Sequence, residues 1–466
     1  RDRSPSRGLG DVYKRQQVDK DLEQIAQYRS IEIDAQNKQQ ELTKKKAEVN
    51  ALKQLLEDKQ KETEQYEDAE VNYEKAKHLY DNHDKIYTNV SDLHTQLMDN
   101  EKELKKFIRF NYELYKNNPY SVPDLYDDML NTFNPKKNPA FEFCEAEYFL
   151  AYKGEEIVGR VAGIINHRAN DTWNKKEVRF GWLDFIDEEE VSSALLKAVE
   201  QWGKEKGMEA IVGPLGFTDM DAEGMLVEGF DQLSTMATIY NYSYYPEHME
   251  QLGFEKEADW VEYKLSVPHQ LPEKFVRISE IILQKYNLKI KKLKRSEIKK
   301  QNYGQKIFDL INEAYAPLYG YSKMTQGQID QYIKMYLPLI DLRMVSLVED
   351  AEGNLVAVGI AMPSLSKALQ KAKGKMLPFG WFHLLKALFI KRPRVLDLLL
   401  VGVKPEYQSK GVNALLFYDL VPIFQQMGFE YGESNPELEL NKKVQAQWSA
   451  FESVQHKRRR AYKKMI

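Results

Sequence analysis

The segment of this sequence with the clearest chemistry is Val401-Gly-Val-Lys-Pro-Glu-Tyr-Gln-Ser-Lys-Gly-Val-Asn-Ala-Leu-Leu416. The apolar run Arg394–Val403 suits a buried strand. Lys404-Pro-Glu-Tyr407 interrupts it, and Gln408-Ser-Lys-Gly-Val-Asn413 opens a helix predicted over Ala414–Met427. A loop that feeds a helix N-terminus leaves several backbone N–H groups unpaired and aligned. Together with the helix dipole they form an anion site able to hold a pyrophosphate. Gly411 lets the backbone approach phosphate without a Cβ in the way, and Lys410 adds a positive charge at the rim.

The elements around this loop must be sorted from a chain of 466 residues, long enough for two or three domains. Hydrophobic residues make up 42% and aromatic residues 12%, so a sizeable core can form. A formal net charge of −4 gives no argument for nucleic acid, and none is expected as a partner. The single cysteine, Cys144, rules out a disulfide framework and a multi-cysteine zinc site, and it fits a reducing cytoplasm. Flanked by Phe143 and Glu145, it reads as a core residue. No window of about 18 uncharged apolar residues exists, so no membrane span is predicted.

Residues 1–16 lack periodicity, are basic and Gly/Ser-rich, and read as a non-native leader. Residues 17–100 turn to Lys, Glu, Gln and Asp without Pro, with apolar residues near three-and-four spacing. That pattern predicts long exposed helices, a hairpin or coiled coil, whose only evident role is self- or partner association. Beyond Leu104 a repeat emerges. Tyr148–Gly159 and Met344–Gly359 each read as strand, Gly turn and strand. Phe107–Tyr115 and Ile307–Tyr315 are matching amphipathic helix starts. Helices at Val191–Lys206 and Gly411–Met427 each end at a glycine, Gly207 and Gly428. The second copy carries an additional stretch at Ser366–Pro393.

The residues Val403-Lys-Pro-Glu-Tyr-Gln-Ser-Lys-Gly411 resemble the acyl-CoA loop of the GNAT superfamily, whose pattern is Gln/Arg-x-x-Gly-x-Gly/Ala. Gln408 and Gly411 match, while Asn413 stands where the family prefers Gly or Ala. The resemblance covers residues 293–466 best; residues 104–267 look like a divergent copy, as in tandem-GNAT enzymes such as peptidoglycan aminoacyl transferases and N-myristoyltransferases. It implies an α/β fold with a mixed sheet: two tandem GNAT-like domains preceded by the helical hairpin or coiled-coil segment. The expected bounds are 1–16, 17–100, 101–268 for a first domain without a coenzyme loop, and 269–466 for a second with one.

The resemblance further implies acetyl-CoA or another acyl-CoA as co-substrate and no metal. Val401, Gly402, Val403, Gln408, Ser409, Lys410, Gly411, Val412, Asn413 and Ala414 would line the coenzyme, and Asn441 matches a family position that can bond it. Acyl transfer from a thioester to an amine needs a neutral amine and a stabilised oxyanion. In the family a carboxylate takes the amine proton, a backbone N–H of the strand before the loop polarises the carbonyl, and a Tyr protonates the leaving thiolate. Glu433, after the coenzyme helix, is the first base candidate and Asp397 the second. Trp448 falls where the Tyr would be, and an indole N–H is no acid. Tyr431 and Tyr462 are the other candidates for that role.

The first copy departs at the decisive place: its loop is Asp187-Glu-Glu-Glu190, without Gly and hostile to phosphate. One coenzyme site per chain is expected, with these acids capping a helix. The stretch Lys367–Arg392 mixes basic residues with Leu, Phe and Trp, which allows weak membrane-surface contact or a cover over the sheet. The basic tail His456–Lys464 reads as a charged edge strand. The expected function is an acyl-CoA-dependent N-acyltransferase of a cytoplasmic, bacterial kind, its amine acceptor unnamed by the sequence. The alternatives are an inactive tandem-GNAT binding module and an aminoacyl or peptidyl transferase acting on cell-wall precursors.

Overall fold

Helix α1 (Glu101–Leu114) opens the first half by turning Phe107 and Ile108 into the core, where both are fully buried. Strands β2 (Cys144–Lys153) and β3 (Glu156–Asn166) form the expected hairpin, followed by β4 (Glu177–Phe185). Helix α2 (Glu189–Glu205) buries Val191, Leu195, Leu196 and Val199, a three-and-four stripe, against that sheet. Then come β5 (Ala210–Gly213), β6 (Met225–Glu228), α3 (Tyr244–Gln251) and β7 (Glu255–Ser266).

Helix α4 (Glu273–Lys285) and β8 (Lys289–Lys291) lead into the second half. Helix α5 (Tyr303–Tyr315) buries Ile307, Leu310, Ile311 and Ala314; α6 (Gln326–Tyr336) starts from a capping box between Thr325 and Gln328. Strands β9 (Val345–Glu349) and β10 (Leu355–Pro363) follow. Helices α7 (Ser366–Ala372) and α8 (Gly380–Leu385) occupy the additional stretch before β11 (Val395–Val403). Helix α9 (Asn413–Gln426), β12 (Tyr431–Ser434), β13 (Glu437–Leu438), α10 (Lys442–Gln445) and β14 (Ser453–Met465) complete the chain.

The protein is seen in a computed structural model that describes residues 101–466, the strand β1 (Leu93–Leu97) and single positions between 20 and 53. The leader at 1–16 and nearly all of the helical segment expected at 17–100 lie outside the described residues. Within that segment β1 is a correction: it pairs antiparallel with β2, Leu93 opposite Lys153, where sequence spacing suggested helix. An open sheet edge supplied the partner that overrides local propensity.

Among the described residues one sheet of 14 strands runs β1-β2-β3-β4-β5-β14-β7-β12-β11-β10-β9-β8, with β6 on β14 and β13 on β7. All pairs are antiparallel except β4–β5 and β11–β12. Each half thus repeats the same plan, three antiparallel strands, a helix, and a parallel strand that parts from its neighbour. That repeat, within one mixed sheet, is the arrangement the sequence resemblance implied.

The tail is not an edge. Strand β14 lies in the middle of the sheet, pairing Tyr462 with Gly213 on β5 and Arg459 with Trp260 on β7. Strand β7 in turn pairs Gly432 of β12 with its Leu265. The last strand of the chain therefore completes the first half, and the last strand of the first half borders the second. Its basic residues have acids waiting on distant strands: Lys457 and Arg459 meet Glu262, Arg460 meets Asp259, and Lys463 meets Glu177. Lys457, Arg459 and Glu262 are buried, a placement tolerable only because each charge is paired.

Candidate active site

The loop between β11 and α9 has the shape its composition suggested. Pro405–Tyr407 makes one 3₁₀ turn, and Gln408 folds back so that its side-chain amide donates to the Val403 carbonyl at 3.1 Å. Ser409 and Gly411 take φ values of 65° and 78°. Two left-handed residues so close together turn successive amides to one side. Among the described residues, the N–H groups of Ser409, Gly411 and Val412 find no acceptor, while Lys410 donates to Tyr407 and Ala414 to Gly411. Val412 is buried and anchors the loop to the core. The Lys410 ammonium lies 5.2 Å from the Tyr286 ring and 4.8 Å from the Tyr407 ring, which hold it at the rim. Asn413 ties the start of α9 to Gln447 at 3.1 Å. Asn441 sits at the N-cap of α10 and makes no side-chain cap bond.

Next to the loop, β11 and β12 part. Their pairing ends at Leu398 with Ser434, although β11 continues to Val403. On its other side β11 carries a bulge: Ile360 of β10 faces Leu400, and Ala361 faces Leu398, which leaves Leu399 as the extra residue. Lys404 donates to Val356 of β10, so the alternating Leu399 and Val401 turn their peptide groups to the gap. Their carbonyls accept from the Asn435 side chain and, at 3.1 Å, from the Tyr315 hydroxyl. The N–H groups of those two residues share the same edge. Burial pushes the Tyr315 hydroxyl up to about 12.

The bulge also sets which side chains face which helices. Leu396 and Leu398 point with Gly432 toward α9, where Phe417, Val421, Phe424, Trp448 and the β7 end enclose a narrow apolar cleft of about 30 Å³. Asp397 and Glu433 project from the opposite face and stand opposite one another in the parallel register. Asp397 is 1% exposed, and among the described residues neither carboxyl oxygen has a hydrogen-bond partner. Burial first, and then the charge of Glu433, push its pKa up to about 7. Glu433 instead accepts from Lys457 Nζ at 3.0 Å, and Lys457 also donates to Glu262 at 3.0 Å. His456 Nε2 lies 3.8 Å from Glu433; burial and the Lys457 charge hold His456 down near 4, so its ring is neutral at pH 7.

The positions suggested as acids divide. Trp448 is buried, and its indole N–H donates to both oxygens of Glu437, at 2.9 and 3.0 Å. Burial raises the Glu437 carboxyl to about 7 despite that bond. Tyr431 lies at the far end of β12, 37% exposed under the Lys264 ammonium. Tyr462 belongs to the core of the first half. Glu437, Tyr315 and Lys457 were not singled out in the sequence. For Glu437 the signal was its place, just past the strand that follows helix α9; for the others only the fold supplies one.

No protein-family model matches the sequence. Among curated proteins the chain is 27% identical over 369 residues to the bacterial ceramide synthase of Caulobacter vibrioides (strain NA1000 / CB15N), covering 78% of this chain and 95% of that protein. It is 25% identical over 378 residues to protein YghO of Escherichia coli (strain K12), covering 79% and 94%. Among solved structures it is similar to a tandem GNAT protein from the clavulanic acid biosynthesis pathway, at TM-score 0.47 and 11% identity over 80% of this chain and 98% of that one.

The corresponding gap in the first half is filled from within. Strands β4 and β5 pair only from Glu177 to Arg179, and beyond that the ring of Tyr245 stacks on Phe185 at 4.2 Å. The Tyr244 hydroxyl donates to the Phe185 carbonyl at 2.6 Å. The acidic loop opens α2, with Glu188 at the N-cap and Glu189 and Glu190 in the first turn, and it makes further contacts. Asp187 meets His248 at 3.0 Å and Glu188 meets Lys153 at 2.9 Å, and Glu188 makes no cap bond. His248, given no role in the sequence, closes this small network through Ser192.

Proposed function

We propose that this chain is an acyl-CoA-dependent N-acyltransferase whose acceptor is a long-chain amino alcohol, the amine from which a ceramide is made. The observation that supports it most is one of placement. A cradle made by the unpaired amides of Ser409, Gly411 and Val412 leads along a parted strand to Asp397, a buried carboxyl poised near neutral pH. The acceptor class is taken from the relative named a ceramide synthase.

In this reading the loop amides and Lys410 hold the coenzyme pyrophosphate, and the strand edge at Leu399 and Val401 aligns the pantetheine arm. The acceptor ammonium loses a proton to Asp397, and the amine nitrogen attacks the thioester carbonyl. An amide of the β11 edge stabilises the oxyanion. The C–N bond forms, the nitrogen releases its second proton to water, the C–S bond breaks, and the thiolate takes a proton from Glu437; exchange with water then returns both carboxyls to their starting states. Glu433, held by Lys457, tunes Asp397 and moves no proton itself.

The test is to incubate the full chain with palmitoyl-CoA and sphinganine, measuring thiol release and the amide product by mass spectrometry. Equimolar thiol and N-acyl product is expected, with acetyl-CoA a poorer donor. Thiol release indifferent to the amine, or no amide across amines of graded chain length, would overturn the reading.

A further inference from the structure

The insert between β10 and β11 is anchored firmly and yet left uncovered. Its inner side buries Ala368, Leu369, Leu384 and Leu388 against Met362 and Leu365. The Gln370 side chain donates to the carbonyls of Pro119 and Ser121, and the Gly374 carbonyl accepts from Tyr126 at 2.8 Å. Its outer side turns Leu377, Phe379, Trp381, Phe382, Phe389 and Ile390 to solvent, at exposures from 43% to 77%. Ordinary packing does not leave so many large apolar side chains together in water. Helix α8 and the turn after it are thus apolar on both faces, where a surface helix covering a sheet has one polar face.

The charge of the insert names what covers it. Between Ser364 and Leu396 there are eight Lys and Arg and no Asp or Glu, in a chain of formal net charge −4. Lys367, Lys371, Lys373, Lys375, Lys386 and Lys391 are all exposed. Among the described residues, only Arg392 and Arg394 of this stretch have a carboxylate within 4.0 Å, on Asp341 and Glu430. An apolar patch rimmed by unpaired cations is complementary to lipid acyl chains beneath anionic headgroups. No helix among the described residues is long and apolar enough to cross a membrane. The geometry therefore points to surface binding.

We propose that the insert at 366–392 docks the protein onto an anionic phospholipid bilayer. Phe379, Trp381 and Ile390 enter the interface, and the lysines lie against the headgroups. The insert leaves β10 at Pro363 and rejoins β11 at Val395, and Asp397 is the third residue of that strand, opposite Met362. The docked face thus lies beside the carboxyl pair, so that a membrane-dissolved ligand has a short path to it.

Flotation of the full chain with phosphatidylcholine vesicles, with and without phosphatidylglycerol, tests this without reading any turnover, so its outcome is independent of the acyl transfer proposed above. Binding to the anionic vesicles is expected, weakened by salt approaching 1 M, where the Debye length falls to about 3 Å. The triple variant Phe379→Ser, Trp381→Ser, Ile390→Ser should partition at least about tenfold less, with an unchanged melting temperature because these side chains are exposed. If that variant misfolds, the single changes Phe379→Ser and Ile390→Ser read the same loss. No flotation of the wild type, or flotation indifferent to the apolar substitutions, would overturn the proposal. So would a dimer in sedimentation that the same substitutions abolish while vesicles are ignored.

Discussion

Asp397 and Glu433 stand directly opposite one another across the parallel strands β11 and β12, one carboxyl unpartnered and the other bonded to Lys457. Two facing carboxylates in a buried place cannot both ionise cheaply. The fold answers by pairing Glu433 with Lys457, and Asp397 is left holding its proton until about pH 7. The residue best placed to accept a proton at neutral pH is therefore Asp397, with Glu433 as the group that tunes it.

Asp397→Asn should lower kcat by about 10²–10⁴-fold, the usual worth of a general base. The activity of the wild type should rise with pH through a value near 7, since the base must be ionised. Glu433→Gln removes the like charge that raises Asp397 and leaves Lys457 beside it. The rise should then move to lower pH, with a smaller change in the plateau rate. A pH–rate profile of Glu433→Gln superimposable on the wild type would sink this assignment.

Gly411→Glu should cut coenzyme affinity at least about a hundredfold, because bulk and charge enter the amide cradle. The change also strains the fold: Gly411 has φ 78°, and a Cβ there would stand 2.9 Å from Ile282 Cδ1. A cost of about 1–2 kcal/mol and a melting temperature lower by a few degrees are expected. Gly411→Ala should share that thermal loss while losing less affinity. Calorimetry that finds both variants binding as the wild type does would refute the cradle.

Coenzyme titration should give a stoichiometry of one, since Tyr244 and Tyr245 fill the gap of the first half. Tyr245→Ala should destabilise the protein by about 3–5 kcal/mol, as large-to-small changes of buried aromatic side chains do. It should still not create a second site, because Asp187–Glu190 repels phosphate there. Two equivalent sites in either protein would show that the filled gap is not what silences this half.

The middle of the sheet should be acid-labile. Burial would raise Glu262, but the charges of Arg459 and Lys457 outweigh it and hold its pKa below the ordinary carboxylate value. For Asp259 too, burial is outweighed by its partners, Arg460 foremost. A depressed folded pKa means that the stabilisation is complete above about pH 4–4.5 and is lost as pH falls through the folded values. Denaturant midpoints should therefore drop steeply below about pH 4 in the wild type. Glu262→Gln leaves two buried cations short of a partner and should cost about 3–5 kcal/mol at pH 7. A midpoint that stays flat to pH 3 would contradict this account.

What the sequence alone determined was local. The strand–loop–helix from Arg394 to Met427, the two hairpins, the glycine-ended helices and the additional stretch before β11 were all legible. Each depends on neighbours a few residues apart, through periodicity, turn chemistry and the anion-binding logic of a helix start. The tertiary structure decided everything that rests on partners far apart in the chain. The basic run at 457–464 looks like a solvated edge until Glu262, Asp259 and Glu177, more than 190 positions away, place it mid-sheet. The pKa of Asp397 is set by burial and by a carboxylate on another strand, neither of which has a local signature. Glu437 acquires its character from burial, which outweighs the opposing bond from the indole of Trp448, eleven residues on. Helix and turn preferences act over a few residues, whereas burial and charge pairing act across space, and only the folded chain says which charges meet.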